Sequence, residues 1–234
     1  MSRHDAPAAS RQLTRRALVS LLPLGLAACA GGSLRDVRAF IDPDGANYDD
    51  IYGPRPDEKF PLPGINWRNL HPAVLRRSMT DPTGEKAGTI VVDPDARLLY
   101  LVLGGGRAMR YGVGVGKQGM EWSGRATIQR KAEWPTWTPT RDMISRDPAL
   151  NAKWAGGMPG GLDNPLGARA LYLYQGGRDT MYRIHGTNAP RSIGRAMSSG
   201  CVRMLNHDII DLYERVSTGA QVVVLPASRT LGVT

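Results

Sequence analysis

From Gly88 onward the apolar residues come in short runs, each closed by a turn signal, and this punctuation constrains the fold more than any other feature. TIVVDPDARLLYLVLGGGRAMRYGVGVG holds two such runs, with Asp93-Pro94-Asp95 and Gly104-Gly105-Gly106 as turns, and reads as successive strands. A further strand follows over Gly124 to Lys131. ALYLYQGGRDTMYRIHG reads as strand, Gly-Gly turn and strand ending on His185, and QVVVLP is a closing strand. Glycine and proline, 28 and 17 of 234 residues, favour short strands and turns over long helices. With 41% apolar and 22% charged residues the chain can bury one full core. A mainly β body is expected. Short helices are expected near Asp142 to Ala152 and from Asn206-His207-Asp208, read as the cap, through Val216.

Three segments are expected: 1–29, 30–86 and 87–228. In SRQLTRRALVSLLPLGLAACAGGS, Arg15 and Arg16 precede an apolar run from Ala17 to Ala28. That run is shorter than the roughly 20 residues a membrane helix needs and has the charged head of an export signal. The arginine pair resembles a twin-arginine signal. Leu26-Ala27-Ala28-Cys29 resembles a lipobox, in which Cys29 would be acylated and anchor an exported, periplasmic protein to a membrane; the alternative is ordinary cleavage nearby, with Cys29 uninvolved. Residues 30–86 are rich in Pro, Gly, Asp and Asn and read as a tether or as irregular structure wrapped on the domain, with a short helix around His71 to Ser78.

The net charge of +9 falls to +6 once four arginines and Asp5 leave with residues 1–29. Such a charge speeds encounter with an anionic partner without naming it. No basic helix, zinc-finger spacing or aromatic RNA-binding signature is present, so nucleic acid is set aside. There are two cysteines, and processing at Cys29 would leave Cys201 alone in an exported protein, where a lone thiol calls for a reason such as catalysis.

The informative stretch is YRIHGTNAPRSIGRAMSSGCVRMLNHDIIDLY. His185 ends a strand, and Cys201 follows sixteen residues later in a small-residue turn before a helix. A thiol with pKa about 8.5 is mostly protonated near neutrality, and a histidine within reach can take its proton. Backbone N–H groups around Gly200 and Cys201 could stabilise an oxyanion, and Gly200 admits a substrate carbonyl closely.

The stretch is similar to the signature of the L,D-transpeptidase catalytic domain, or YkuD-like, family. His185-Gly186-Thr187 and Ser198-Ser199-Gly200-Cys201-Val202-Arg203 fill the family's positions, with Ser199 where a second histidine usually stands. RYGVGVGKQGMEWSGRATI, AEWPTWTPTRDM and NPLGARALYLY also fit. The resemblance implies a β-sandwich of mixed sheets with one or two short helices and a lid loop over the active site, here Arg141 to Pro165. It makes Cys201 the nucleophile and His185 the base, the latter oriented by the Gly186 carbonyl. Arg203 either binds a substrate carboxylate or braces the turn and helix; Thr187, Asn188 and Ser199 are further substrate contacts. The implied partners are peptidoglycan stem peptides, with another stem or an amine of an envelope protein as acceptor, and no cofactor. A hydrolase using the same cysteine and a silent wall-binding lipoprotein are the rival readings.

Zinc binding by His185, Cys201 and His207 lacks the usual ligand spacing and a fourth ligand, so no metal is expected. His207 reads as a solvated or capping residue. Gly114 to Gly119 matches GxGxxG but runs toward another strand, so its glycines are read as permitting tight strand turns. Trp134 and Trp137 read as core or as a groove wall.

Overall fold

Among the described residues, the strands are β1 (Arg77–Thr80), β2 (Ile90–Asp93), β3 (Leu98–Gly104), β4 (Arg107–Gly116), β5 (Gly124–Glu133), β6 (Arg169–Gln175), β7 (Arg178–His185), β8 (Ala196–Met197), β9 (Val202–Met204) and β10 (Gln221–Val224). The structure is a computed structural model describing residues 45–116, 122–197 and 201–227; residues 1–29 with Cys29, and also Ser199 and Gly200, lie outside that set. Both glycine turns form as the composition demands: Gly104, Gly105 and Gly106 and then Gly176 and Gly177 all have positive φ, open to glycine at little cost.

The strands run in the order β4-β3-β2-β10-β5-β6-β7-β9, and β9 pairs back onto β4. The sheet therefore closes into a barrel, which corrects the expected sandwich. The cause is β9: it pairs in parallel with β7 and antiparallel with β4, joining what would have been two free edges. Pairing is mixed, with β10–β2 and β4–β8 also parallel. Alternate residues fill the interior, among them Ile90, Val92, Leu99, Leu101, Tyr111, Val113, Leu171, Ile184, Val202 and Met204. The helix Asn206–Arg215 adds Ile209 and Leu212, and Val216 follows at its C-cap, a spacing that keeps all three on one side.

Residues 45–76 form a strap packed on the barrel. Tyr48, Tyr52, Trp67, Val74 and Leu75 bury themselves against Ile193 and Leu205. Glu58 forms a two-point pair with Arg169, at 2.7 and 2.9 Å, and accepts the Trp134 indole N–H at 2.9 Å. Tyr52 donates its hydroxyl to Asp208 at 3.4 Å, and Arg76 pairs with Asp211 at 2.8 Å. The strap crosses β4 at Gly112, where a Cβ would collide with the Val74 backbone and Cβ. Gly114 similarly admits the Ser192 carbonyl. Gly114 and Gly116 lie within the extended strand β4, and Gly114 serves a close crossing, which corrects the expectation of strand turns at these two; Gly119 lies outside the described residues. Where a helix was expected over His71 to Ser78 there is a single 3-10 turn, Pro72–Val74, capped by the His71 ring, and then β1.

Candidate active site

β7 delivers His185 and β9 follows Cys201, and the two strands are parallel neighbours with Ile184 opposite Val202 and His185 opposite Arg203. Ile184, Val202 and Met204 point into the core. By alternation Arg183, His185, Cys201 and Arg203 share the other face, with Arg183 level with Cys201. The Arg183 backbone N–H hydrogen-bonds the Cys201 sulfur. The thiol is half-buried and unpaired with any second cysteine.

The His185 ring is buried, and its Nδ1 lies 2.6 Å from the Gly186 carbonyl. The Leu166 carbonyl is a second backbone partner of the ring. Burial, with smaller effects from Arg203 and Arg183, lowers the His185 pKa to about 4, so near neutrality the ring is uncharged and able to accept a proton. Burial pushes the Cys201 thiol up, against the Arg183 N–H and the charges of Arg183 and Arg203. Both directions favour the uncharged forms, a thiol and a neutral imidazole.

Around this pair the structure separates the expected residues. β9 stands between Cys201 and the helix, which starts at Asn206, so Cys201 leads into a strand and not directly into the helix. Thr187, expected to touch substrate, is buried at 3% exposure, and its hydroxyl accepts the Ala189 N–H at 3.1 Å. It holds the loop. Asn188 is exposed and donates to the Asp163 carbonyl at 2.7 Å, tying the loop after His185 to the end of the 141–165 segment. Arg203 is partly exposed next to Cys201, and burial lowers its pKa. Trp134 is buried beneath the strap.

Asn206, expected as part of a helix cap, has a different task. Its side-chain oxygen accepts the N–H groups of Ala168 at 3.0 Å and Thr187 at 3.2 Å, bracketing Gly186 from the far side of His185. A Cβ at Gly167 or Gly186 would run into that oxygen, so both glycines make room for it. His207, expected to be solvated or capping, is buried with Nε2 2.8 Å from the Gly53 carbonyl. Arg183 also escapes the sequence reading. Its position two residues before His185 on a strand, hence on the same face, is the available signal. Its guanidinium pairs with Asp179 at 2.7 and 2.8 Å and lies 4.4 Å over the Tyr172 ring. Among the described residues no cluster of three or more His, Cys, Asp or Glu side chains could hold a metal ion.

Residues 87–224 match the model of the L,D-transpeptidase catalytic domain, YkuD, which spans strands β2 to β10 and both candidate catalytic residues. The chain belongs to the L,D-transpeptidase catalytic-domain family. It is 37% identical over 139 residues to the probable L,D-transpeptidase YbiS of Escherichia coli K12, covering 58% of this chain and 43% of that protein. It is 36% identical over 152 residues to the probable L,D-transpeptidase ErfK/SrfK of the same strain, covering 62% and 46%. The L,D-transpeptidase domain seen here thus spans less than half the length of these curated relatives. A solved structure from Brucella melitensis, described as a probable carnitine operon oxidoreductase caia, is 53% identical and covers 68% of this chain and 99% of that one, with a TM-score of 0.47.

Proposed function

We propose that this protein is an exported peptidoglycan L,D-transpeptidase. The observation that carries the reading is the L,D-transpeptidase match across 87–224 together with His185 at the end of β7 and Cys201 just before its parallel neighbour β9. In the proposed reaction the Cys201 sulfur attacks the carbonyl between the L-centre of a diaminopimelate residue and the terminal D-alanine of a stem tetrapeptide. A C–S bond forms, His185 takes the thiol proton, and the Arg183 N–H and the arginine charges favour the sulfur anion. The C–N bond then breaks, and D-alanine leaves as an amine carrying the proton from His185. An amine of a second stem, or of an envelope protein, attacks the thioester, and the C–S bond breaks to restore the thiol.

In this reading Gly200 and Cys201 N–H groups meet the oxyanion, and Ser199 and Asn188 flank the substrate. Arg203 binds a carboxylate, for which a guanidinium fork is well shaped. Residues 141–165 act as the lid, held at their end by the Asp163–Asn188 contact. Residues 1–29 are the export signal, with Cys29 as the lipid-bearing residue that places the enzyme at a periplasmic membrane face.

The test is incubation with a disaccharide-tetrapeptide, with products read by mass spectrometry. A dimer lacking one D-alanine supports the proposal, and Cys201→Ala should abolish it. Tripeptide alone would replace transpeptidation with hydrolysis. Unchanged substrate from folded protein overturns both.

A further inference from the structure

Away from the nucleophile, three stretches distant in sequence meet around a cavity of about 800 Å³. They are strap residues 69–74, the β2–β3 turn at 96–98, and residues 190–195 of the loop that runs from His185 toward Cys201. Its charged walls are Arg97, Arg191 and Arg195, the His71 ring also lines it, and no Asp or Glu does. Neither Cys201, His185, Arg183 nor Arg203 contributes to it.

No opposite charge stands beside these three, whereas several other arginines of the chain are paired. Arg68, Arg76, Arg125, Arg169, Arg183 and Arg215 each pair with a carboxylate. Arg97, Arg191 and Arg195 are exposed and have no carboxylate partner among the described residues. Arg97 also sits at φ 55°, a left-handed conformation that glycine adopts more easily, and is held there while its carbonyl accepts the Val113 N–H at 2.9 Å. The fold thus keeps an arginine in a left-handed conformation at the wall of a cavity that two others also line.

Guanidinium forks favour carboxylate and phosphate oxygens. Two ligand classes fit the surroundings poorly. A bilayer-binding patch adds apolar wedges to its cations, and none of the exposed large apolar residues, Leu103, Leu150, Leu162 and Met181, lines the cavity. Single-stranded nucleic acid calls for aromatic stacking platforms, and no aromatic side chain other than the His71 ring lines it. We infer that the cavity is an exosite for the carboxylates of a peptidoglycan stem peptide other than the one reacting at Cys201. The inference rests on the proposed wall substrate. An occupant here would touch the loop that ends at the nucleophile and would hold the enzyme on the polymer between turnovers.

The experiment measures retention of the protein on purified, insoluble peptidoglycan sacculi at rising NaCl. Wild type is compared with the triple variant Arg97→Gln, Arg191→Gln, Arg195→Gln and with a charge-matched control, Lys59→Gln, Lys86→Gln, Arg178→Gln. Three exposed ionic contacts predict retention weakened about 10- to 100-fold in the triple variant, with the control close to wild type and acylation of Cys201 by a carbapenem unchanged in both. The inference is overturned if the triple variant binds like wild type, if the control loses as much, or if wild-type retention is indifferent to salt, a reading that needs no variant to fold. Loss of binding to phosphatidylglycerol vesicles with sacculus retention intact would reassign the cavity to lipid phosphate and overturn it too. Failure of carbapenem to acylate wild type would count against the proposed reaction and leave the retention comparison readable.

Discussion

Asn206→Ala tests how the base is held. In the structure one carboxamide oxygen accepts two buried backbone N–H groups, those of Ala168 and Thr187, on either side of the Gly186 carbonyl that holds His185 Nδ1. Alanine leaves both donors without an acceptor in a place closed to solvent, where Ala168 is 0% and Thr187 3% exposed. An unsatisfied buried donor costs about 1–3 kcal/mol, so the pair costs about 2–5 kcal/mol, allowing for the longer Thr187 bond. For a chain of this size that is a fall in Tm of about 5–15 °C. Below both melting temperatures the folded variant should acylate Cys201 about tenfold more slowly, because the carbonyl steering the imidazole is no longer braced. Asn206→Asp keeps an acceptor oxygen at the cost of a buried charge; it should recover most of the acylation rate even if it melts early. Calorimetry and acylation timed by mass spectrometry give the two readouts. A variant Asn206→Ala melting within about 2 °C of wild type, or Ala and Asp variants equally slow, would refute the reasoning.

Gly112→Ala should push the strap off β4, since the new methyl group meets the Val74 backbone; a loss of about 1–3 kcal/mol and faster proteolysis within 45–76 are expected. Glu58→Gln removes the two-point carboxylate partner of Arg169, leaving it only Glu133 at 4.0 Å, and should lower urea stability by about 2–4 kcal/mol, less than a fully buried pair because Glu58 keeps some exposure. Stability between pH 4 and 7 carries opposing contributions from two adjacent residues. His207, with its folded pKa lowered to about 4 chiefly by burial, binds fewer protons folded than unfolded, so its contribution is present above pH 6.5 and lost as pH falls toward 4. Asp208, raised to about 7 chiefly by burial, keeps a proton that the unfolded chain releases, so its contribution is present below about pH 4 and lost as pH rises through 7. Denaturant titrations across this range should show His207→Gln flattening the rise in stability with pH and Asp208→Asn steepening it; the opposite signs would show the burial argument to be wrong.

The strands that carry turn signals are legible in the sequence because glycine and aspartate–proline punctuation is local: β2, β3, β5, β6, β7 and β10 can be read from it. β1 cannot, since Arg77-Ser78-Met79-Thr80 lacks apolar alternation and becomes a strand only by pairing with β4. Barrel closure is hidden as well. It depends on the short strand β9, whose register partners, Ile184 for Val202 on one side and Gly114 for Arg203 on the other, lie far upstream in the chain. His185 and Cys201 stand out through their motif, whereas Asn206 and Arg183 act through backbone groups across the fold. The strap looks irregular because Tyr48, Tyr52 and Trp67 follow no period; their order comes from the surface they cover.

β10 lies between β2 and β5, parallel to one and antiparallel to the other. An interior stave of the barrel is therefore the last of its described strands to be synthesised. A chain halted before Gln221 already contains Cys201 but leaves β2 and β5 as two facing, unpaired edges, open to pairing with other chains. Loss of this strand should therefore act all or none, and the thiol gains its finished surroundings only when translation has passed Val224.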